Sequence, residues 1–303
     1  MSFTDELQHA AATVAEAVGP ATVRIGRDGR GLGLVTAAGT VVTNAHNLRG
    51  AEVTVTFADG RRLVGAVRGV DGDGDLAAVA VDTADITPVA WSDAPAALGT
   101  PVWTVAPAPG GGHRVTSGTV SSTGRPFRGP GGHAIPGSVE HTAPLGRGSS
   151  GGAVVGADGR VLGINTHRLG DGFYLALPAD AELRARLDAL AAGRSPQRRR
   201  LGVALAPAHA ARRLRASVGL PERDGLLVRG VEDGGPADAA GLRRGDLIVT
   251  AGGRPVATPE DLYAALAGDE PHLEVVVVRG VDETTVDVDF TVGDEPAAAG
   301  GAD

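Results

Sequence analysis

From residue 21 onward, apolar and β-branched residues come in short runs, each cut off by Gly, Asp or Asn. The runs are Ala21–Ile25, Leu32–Thr36, Val41–Thr43, Val53–Phe57, Arg62–Val70 and Ala77–Val81, then Pro101–Ala106, Val115–Ser121, Ala153–Val155 and Val161–Asn165. Their length is that of strands and falls short of an amphipathic helix. Turn triplets such as Ala58-Asp59-Gly60 and Ala157-Asp158-Gly159 stand between them, and 47 glycines favour many tight turns. Strands so closely spaced, joined by hairpins, read as antiparallel barrels rather than alternating β/α units.

The chain has 303 residues, enough for two domains, and its 42% apolar content is that of a globular protein. It contains no Cys, which excludes disulfides, zinc-thiolate sites, iron–sulfur clusters and a cysteine nucleophile. Any chemistry must therefore run on oxygen or imidazole. With 28 Lys and Arg against 36 Asp and Glu, the formal net charge is −8, and the run Arg198–Arg200 is too short for a nucleic-acid footprint. Gly110-Gly111-Gly112 and Gly129-Pro130-Gly131-Gly132 lack the Gly-Lys-Ser/Thr ending of a phosphate-binding loop. His113, His133, His141 and His167 show no metal-ligand spacing, so no metal and no cofactor is expected.

Residues 1–20 read as a helix, with Leu7, Ala11, Val14 and Val18 at helical spacing, Thr4 as N-cap and Gly19-Pro20 at the end. Asp5, Glu6 and Glu16 interrupt the segment, which therefore resembles neither a secretory leader nor a membrane span. The expected location is the cytoplasm. Residues 21–192 form the first body, closed by Asp180 and a helix over Ala181–Ala192, and residues 193–200 have the composition of an exposed linker. A smaller body follows over 201–292, and the Ala, Gly and acidic stretch 293–303 reads as a disordered tail.

Three positions in the first body stand out. Gly148-Ser149-Ser150-Gly151-Gly152 precedes the apolar strand Ala153–Val155; a serine flanked by glycines can expose its hydroxyl and turn neighbouring N–H groups toward one point, as an acyl-transfer oxyanion requires. His46, in Thr43-Asn44-Ala45-His46, lies just past a strand end, where its ring can face a cleft. Asp75 ends Asp71-Gly72-Asp73-Gly74-Asp75. A calcium loop would need further oxygen ligands and a terminal Glu, whereas the chain runs directly into Leu76–Val81. A carboxylate entering a buried strand is placed to orient an imidazole.

The order His46, Asp75, Ser150 is that of double-barrel serine proteases, and the sequence resembles the bacterial high-temperature-requirement (HtrA) proteases, which join a trypsin-like domain to C-terminal PDZ domains. The likeness rests on Gly31-Leu32-Gly33-Leu34-Val35, Thr43–His46, Asp75-Leu76-Ala77, Val115–Ser121, Gly148–Gly152, and Gly163–Thr166 with Leu175–Pro178. It implies a mainly β fold, a trypsin-like double β-barrel followed by a small α+β PDZ domain. It further implies Ser150 as nucleophile, His46 as general base and acid, Asp75 as the orienting carboxylate, and the N–H groups of Gly148 and Ser150 as the oxyanion hole. Pro144, with Leu145 beside it, occupies the position whose carboxylate makes trypsin select basic side chains, so an apolar side chain is expected there. The chain departs from its relatives at Gly146–Ser149, where they read Asn-Pro-Gly-Asn, and in the shorter segment His167–Gly172. Phe127–Ser138 matches the loop that senses the PDZ domain in relatives.

In the second body, Arg200-Leu201-Gly202-Val203 resembles the carboxylate-binding loop of bacterial PDZ domains, with the N–H groups of Leu201, Gly202 and Val203 capturing a peptide C-terminus. Gly235–Ile248 matches the run that follows in such domains. Thr258, Pro259 and Asp261 open a helix whose Leu262 and Leu266 would line the peptide groove, with at least one of the two in the core. The implied function is an ATP-independent serine endopeptidase acting on unfolded polypeptides and reading protein C-termini, in a family where trimers are common. The alternative is a non-catalytic PDZ adaptor on a protease-like scaffold.

Overall fold

The computed structural model describes residues 2–108, 111–129, 134–196, 199–206, 208–217, 219–266, 268 and 270–291. The predicted tail 293–303, Gln197 and Arg198 of the linker, Gly110, His133 and residues 130–132 lie outside the described residues. The chain divides into two compact units, residues 1–196 and 197–303.

The first unit opens with α1 (Phe3–Val18). Its N-cap is Ser2 rather than Thr4: the Ser2 hydroxyl accepts from the Asp5 N–H and the Asp5 carboxylate accepts from the Ser2 N–H, a reciprocal box that the Thr4 register cannot form. Ala10, Val14 and Val18 face the core, whereas Leu7, predicted on that face, is 39% exposed. One turn nearer the N-terminus, the helix has already risen off the barrel.

Six strands then close the first barrel: β1 (Thr22–Ile25), β2 (Gly31–Ala37), β3 (Thr40–Thr43), β4 (Glu52–Thr56), β5 (Arg62–Asp71) and β6 (Leu76–Ala80), in the order β1-β2-β3-β6-β5-β4 with β4 returning to β1. The predicted turn glycine between β4 and β5 has φ 89°, a left-handed conformation open to Gly60 at little cost. The second barrel is built from β7 (Pro101–Pro107), β8 (His113–Thr123), β11 (Val139–His141), β12 (Ala153–Val155), β13 (Val161–Gly170) and β14 (Phe173–Pro178), closed in the order β11-β14-β13-β12-β7-β8; the short pair β9 (Phe127–Arg128) and β10 (Ala134–Ile135) stands apart. β13 runs five residues beyond the predicted Asn165, and its pairing with β14 shifts between Asn165 and His167, a bulge that leaves Thr166 outside the ladder.

The unit ends in α2 (Ala181–Ala191), capped as predicted by the Asp180 carboxylate on the Leu183 N–H. Leu183, Leu187 and Leu190 are buried in one core with Val14, Leu34, Leu76 and Ile164, so the helices seal the barrel ends rather than form a separate layer. An Arg186–Asp71 ion pair ties α2 to the end of β5.

The second unit contains β15 (Val203–Ala206), α3 (Ala208–Ser217), β16 (Leu226–Val231), α4 (Pro236–Ala239), β17 (Leu247–Ala251), β18 (Arg254–Pro255), α5 (Pro259–Leu266), β19 (His272–Arg279) and β20 (Asp282–Asp289). The sheet order is β15-β16-β17-β19-β20, with β18 on β17. As predicted, Thr258 and Asp261 cap α5 reciprocally: the Asp261 N–H donates to the Thr258 hydroxyl and the Thr258 N–H to the Asp261 carboxylate. The buried Asp246 receives two 2.8 Å hydrogen bonds from Arg279. Burial alone would raise its carboxyl, but the bonds from Arg279 and the Arg243 N–H outweigh that and hold it below the ordinary range.

The core assignment is testable through a pair of leucines. Leu34→Ala, at a fully buried position, is expected to cost about 2–5 kcal/mol in urea unfolding of the first unit, whereas Leu7→Ala should stay within about 0.5 kcal/mol of wild type. Equal costs would contradict the placement of α1.

Candidate active site

His46 follows β3 at the short 3-10 turn Ala45–Asn47, and Asp75 occupies the corner between β5 and β6. Asp75 has φ 54°, uncommon for a residue with a side chain, and is 2% exposed. The conformation aims its carboxylate at His46. Nδ1 of His46 is 2.9 Å from each carboxylate oxygen, and the His46 N–H donates to Oδ1 at 3.1 Å. The Thr166 hydroxyl, turned toward this point by the β13 bulge, donates to Oδ2 at 2.6 Å. Asn44 holds the corner from behind, its side-chain amide donating to the Asp75 carbonyl at 2.9 Å. Neither Asp71 nor Asp73 competes for the histidine: Asp71 accepts from the N–H groups of Asp73 and Gly74 and pairs with Arg186, and the carboxylate hydrogen-bonded to His46 is that of Asp75.

Ser150 sits across the cleft, on the segment before β12. Its carbonyl accepts from the Leu32 N–H at 2.7 Å and from the Asn47 side-chain amide at 3.0 Å, which fastens the second barrel's loop to the first barrel. Gly151 makes this approach possible: φ is 91°, and a Cβ there would lie 2.0 Å from the Leu32 carbonyl oxygen. The Ser150 hydroxyl donates to the Thr166 carbonyl at 3.0 Å rather than to His46. The N–H groups of Gly148, Ser149 and Ser150 have no acceptor among the described residues, leaving them open to an incoming oxygen.

Two cavities flank the loop. One of about 340 Å³ lies between residues 145–150 and residues 165–168, floored by Tyr174. The other, of about 230 Å³, lies on the opposite side of the loop. Leu145 borders both, but Pro144 lines only the second, so of the two predicted pocket residues only Leu145 reaches the cavity beside Ser150. The Pro144 carbonyl accepts from the Thr116 hydroxyl at 2.7 Å. Arg168, unnoticed in the sequence, donates to the Leu145 carbonyl at 2.6 Å from the opposite wall, its guanidinium 5.2 Å from the Tyr174 ring centre.

Beneath this cavity His141 is fully buried, its Nε2 2.8 Å from the Asn165 side-chain oxygen and its ring stacked on Tyr174 at 5.7 Å. Burial disfavours the charged ring and lowers the pKa from its ordinary 6.5, outweighing the Asn165 hydrogen bond that would raise it.

In the second unit, Gly202 adopts φ 73°, its carbonyl accepting from the Glu232 N–H at 2.8 Å, while the Leu201 carbonyl accepts from the Ala237 N–H at 2.9 Å. β15, which begins at Val203, pairs with β16 alone among the described residues, so its other edge is open there to a further strand. Leu201 and Leu262 are both 2% exposed and belong to the core, while Leu266 is partly buried at its margin. Of the two predicted groove leucines, Leu262 thus carries packing.

Two closed antiparallel barrels, with the His46–Asp75 pair of one bonded by Thr166 of the other and Ser150 bonded to that same residue, define the class of trypsin-like serine proteases. Family comparison agrees: residues 31–164 match the trypsin-like peptidase domain and residues 227–280 the PDZ domain. A putative serine protease HhoA from Synechocystis sp. is 34% identical over 278 residues, covering 87% of this chain and 70% of that protein. A probable periplasmic serine endoprotease DegP-like from Halomonas elongata is 31% identical over 87% of this chain and 56% of its own length, and mitochondrial serine protease HTRA2 of Drosophila ananassae is 28% identical over 82% and 63%. Among solved structures, the HtrA-type protease AlgW with a decapeptide superposes with TM-score 0.63 at 24% identity, covering 92% of this chain and 97% of that one, and the serine endoprotease from Yersinia pestis does so with TM-score 0.63 at 23% identity, covering 92% and 96%. The chain belongs to the HtrA family of serine proteases. The cytoplasmic location expected from the N-terminal segment is corrected by two of these relatives, the DegP-like protein and HTRA2, whose names place them in the periplasm and the mitochondrion.

The buried histidine sets a pH dependence. The folded pKa of His141 lies below the unfolded value, so the unfolded chain takes up the proton first as pH falls. Its contribution to stability is full above about pH 6.5 and is lost below that, toward the folded pKa. Urea unfolding at about pH 7.5 and about pH 5.5 should show the first unit losing stability on acidification, with a smaller loss in His141→Thr. An unchanged difference would contradict the assignment.

Proposed function

We propose that this chain is an ATP-independent serine endopeptidase that cuts unfolded or damaged polypeptides through an acyl-enzyme, while its PDZ domain recognises free peptide C-termini. The observation that carries the reading is the His46–Asp75 pair, joined through the Thr166 hydroxyl to the residue whose carbonyl the Ser150 hydroxyl bonds. With Nδ1–H held by the carboxylate, Nε2 is the free acceptor. A rotation of the Ser150 side chain from the Thr166 carbonyl toward Nε2 readies the hydroxyl for attack. His46 takes that proton as Oγ adds to the scissile carbonyl, then gives it to the leaving amine; water repeats the sequence on the acyl-enzyme. The open N–H groups of Gly148 and Ser150 would receive the developing oxyanion, and Thr166 and the His46 N–H keep the Asp75 carboxylate aimed at the ring.

Nothing in this cycle requires a nucleotide, which suits glycine-rich segments that lack a Lys-Ser/Thr ending. We place the protein with its relatives outside the cytoplasm, in a periplasmic or organellar compartment. A fold without cysteine is indifferent to the redox state it meets there.

Ser150→Ala should lower hydrolysis of unfolded β-casein on the order of 10⁴-fold or more, and a fluorophosphonate probe should label wild type and not the variant. Casein hydrolysis equal in both proteins would sink the protease reading and leave a PDZ adaptor. For the second unit, calorimetry with an apolar-ended peptide should show binding with a free C-terminus and loss of about tenfold or more affinity on C-terminal amidation. Equal affinities would remove the carboxylate loop at Leu201–Val203 from the account.

A further inference from the structure

The cavity beside Ser150 has a charge that the residue at position 144 does not foretell. Three of its lining residues are basic, Arg147, His167 and Arg168, and none is acidic among the described residues. Arg168 is held in place from two sides, by its hydrogen bond to the Leu145 carbonyl and by its stacking over Tyr174. The first uses one N–H of a guanidinium that has five, and the second uses its face, so donors remain for a ligand. No carboxylate pairs with Arg147, His167 or Arg168 among the described residues, whereas Arg160, Arg184 and Arg186 of the same unit each have an acidic partner.

We propose that this cavity takes the carboxylate side chain of an Asp or Glu at the substrate residue preceding the cut bond, and that Arg168 is the residue that selects it. The walls fit such a side chain. Leu145 and the Tyr174 ring offer apolar surface to its methylenes, and the guanidinium spanning from one wall to the other meets the carboxylate in planar, bidentate fashion. A Lys or Arg side chain would bring like charge to like. A small apolar side chain, the expectation drawn from Pro144, would leave the two guanidinium groups without a partner, and Pro144 itself lines the cavity on the other side of the loop.

This inference rests on the protease reading, and its test keeps the two apart. The full-length protein is assayed on fluorogenic peptides identical except for Glu, Asp, Val, Ala or Lys before the cut bond, with fluorophosphonate labelling of Ser150 as a measure of the nucleophile independent of that side chain. The expected result is highest kcat/KM for Glu and Asp. Arg168→Ala should lower kcat/KM for Glu and Asp about tenfold more than for Val and Ala, through KM, and Arg168→Glu should move the preference to Lys. Preference for Val, Ala or Lys in a labelled wild-type protein would overturn the proposal and leave the protease standing. A uniform loss across all five peptides in Arg168→Ala would also overturn it, showing that Arg168 only braces the loop. Absence of both labelling and cleavage in the wild type would sink the protease reading and this inference with it.

Discussion

The buried carboxylate of Asp75 is the point on which the two barrels agree. A 2% exposed anion in left-handed backbone is unfavourable on both counts; the conformation alone costs about 1–3 kcal/mol in a residue other than Gly. It persists because donors converge on it from two sides: the N–H and Nδ1 of His46 from the first barrel, and the Thr166 hydroxyl from the second. Each is a hydrogen bond to a charged acceptor, worth about 1.5–3 kcal/mol. Since the donors come from different barrels, the carboxylate is satisfied only when the barrels stand in one register, and that register puts His46 at the cleft.

The same logic fixes the serine loop at both ends. At one end the Ser150 carbonyl is held by Leu32 and Asn47, with Gly151 pressed against Leu32. At the other, Thr116 and Arg168 hold the carbonyls of Pro144 and Leu145. Between these anchors the side chain of Ser150 needs only rotation, since its hydroxyl bonds a carbonyl of the very segment whose Thr166 hydroxyl supports Asp75. A frame that is rigid around one rotating hydroxyl keeps reorganisation small at the moment of reaction.

Much of this was legible in the chain. The strands of the first barrel follow apolar runs that burial requires, and turn glycines marked its hairpins. His46, Asp75 and Ser150 could be found because each borders such a run. What escaped has a physical reason in each case. β11, Val139–His141, is buried throughout yet carries Glu and His, so its pattern does not announce a strand; these residues are tolerated because Glu140 is bonded to Ser121 and His141 to Asn165. β13 continues past Asn165 through Thr, His and Arg that face solvent or the cavity. α3 is rich in arginine and offers little apolar face to read. Thr166 lay within a recognised motif, but its role depends on a bulge, which is a property of pairing between strands and leaves no mark in the spacing of one of them.

Arg168 shows why the charge of a cleft must be read from its walls. The chain as a whole is acidic, with a formal net charge of −8, and a single position equated with trypsin's selecting residue suggested an apolar pocket. In the folded chain Pro144 lines one cavity, His167 and Arg168 line the other, and Arg147 borders both. In a concave site the local cations dominate the potential felt by a side chain, while distant acidic residues are screened by solvent and salt. Arg168 also ties the selecting charge to the geometry of the loop. Its bond to the Leu145 carbonyl means that any shift of residues 145–150 alters the placement of the guanidinium, and a carboxylate bound to the guanidinium bears in turn on the loop that carries Ser150. Recognition and alignment of the nucleophile therefore share one hydrogen bond, so a side chain that satisfies Arg168 also braces the segment on which the oxyanion donors lie.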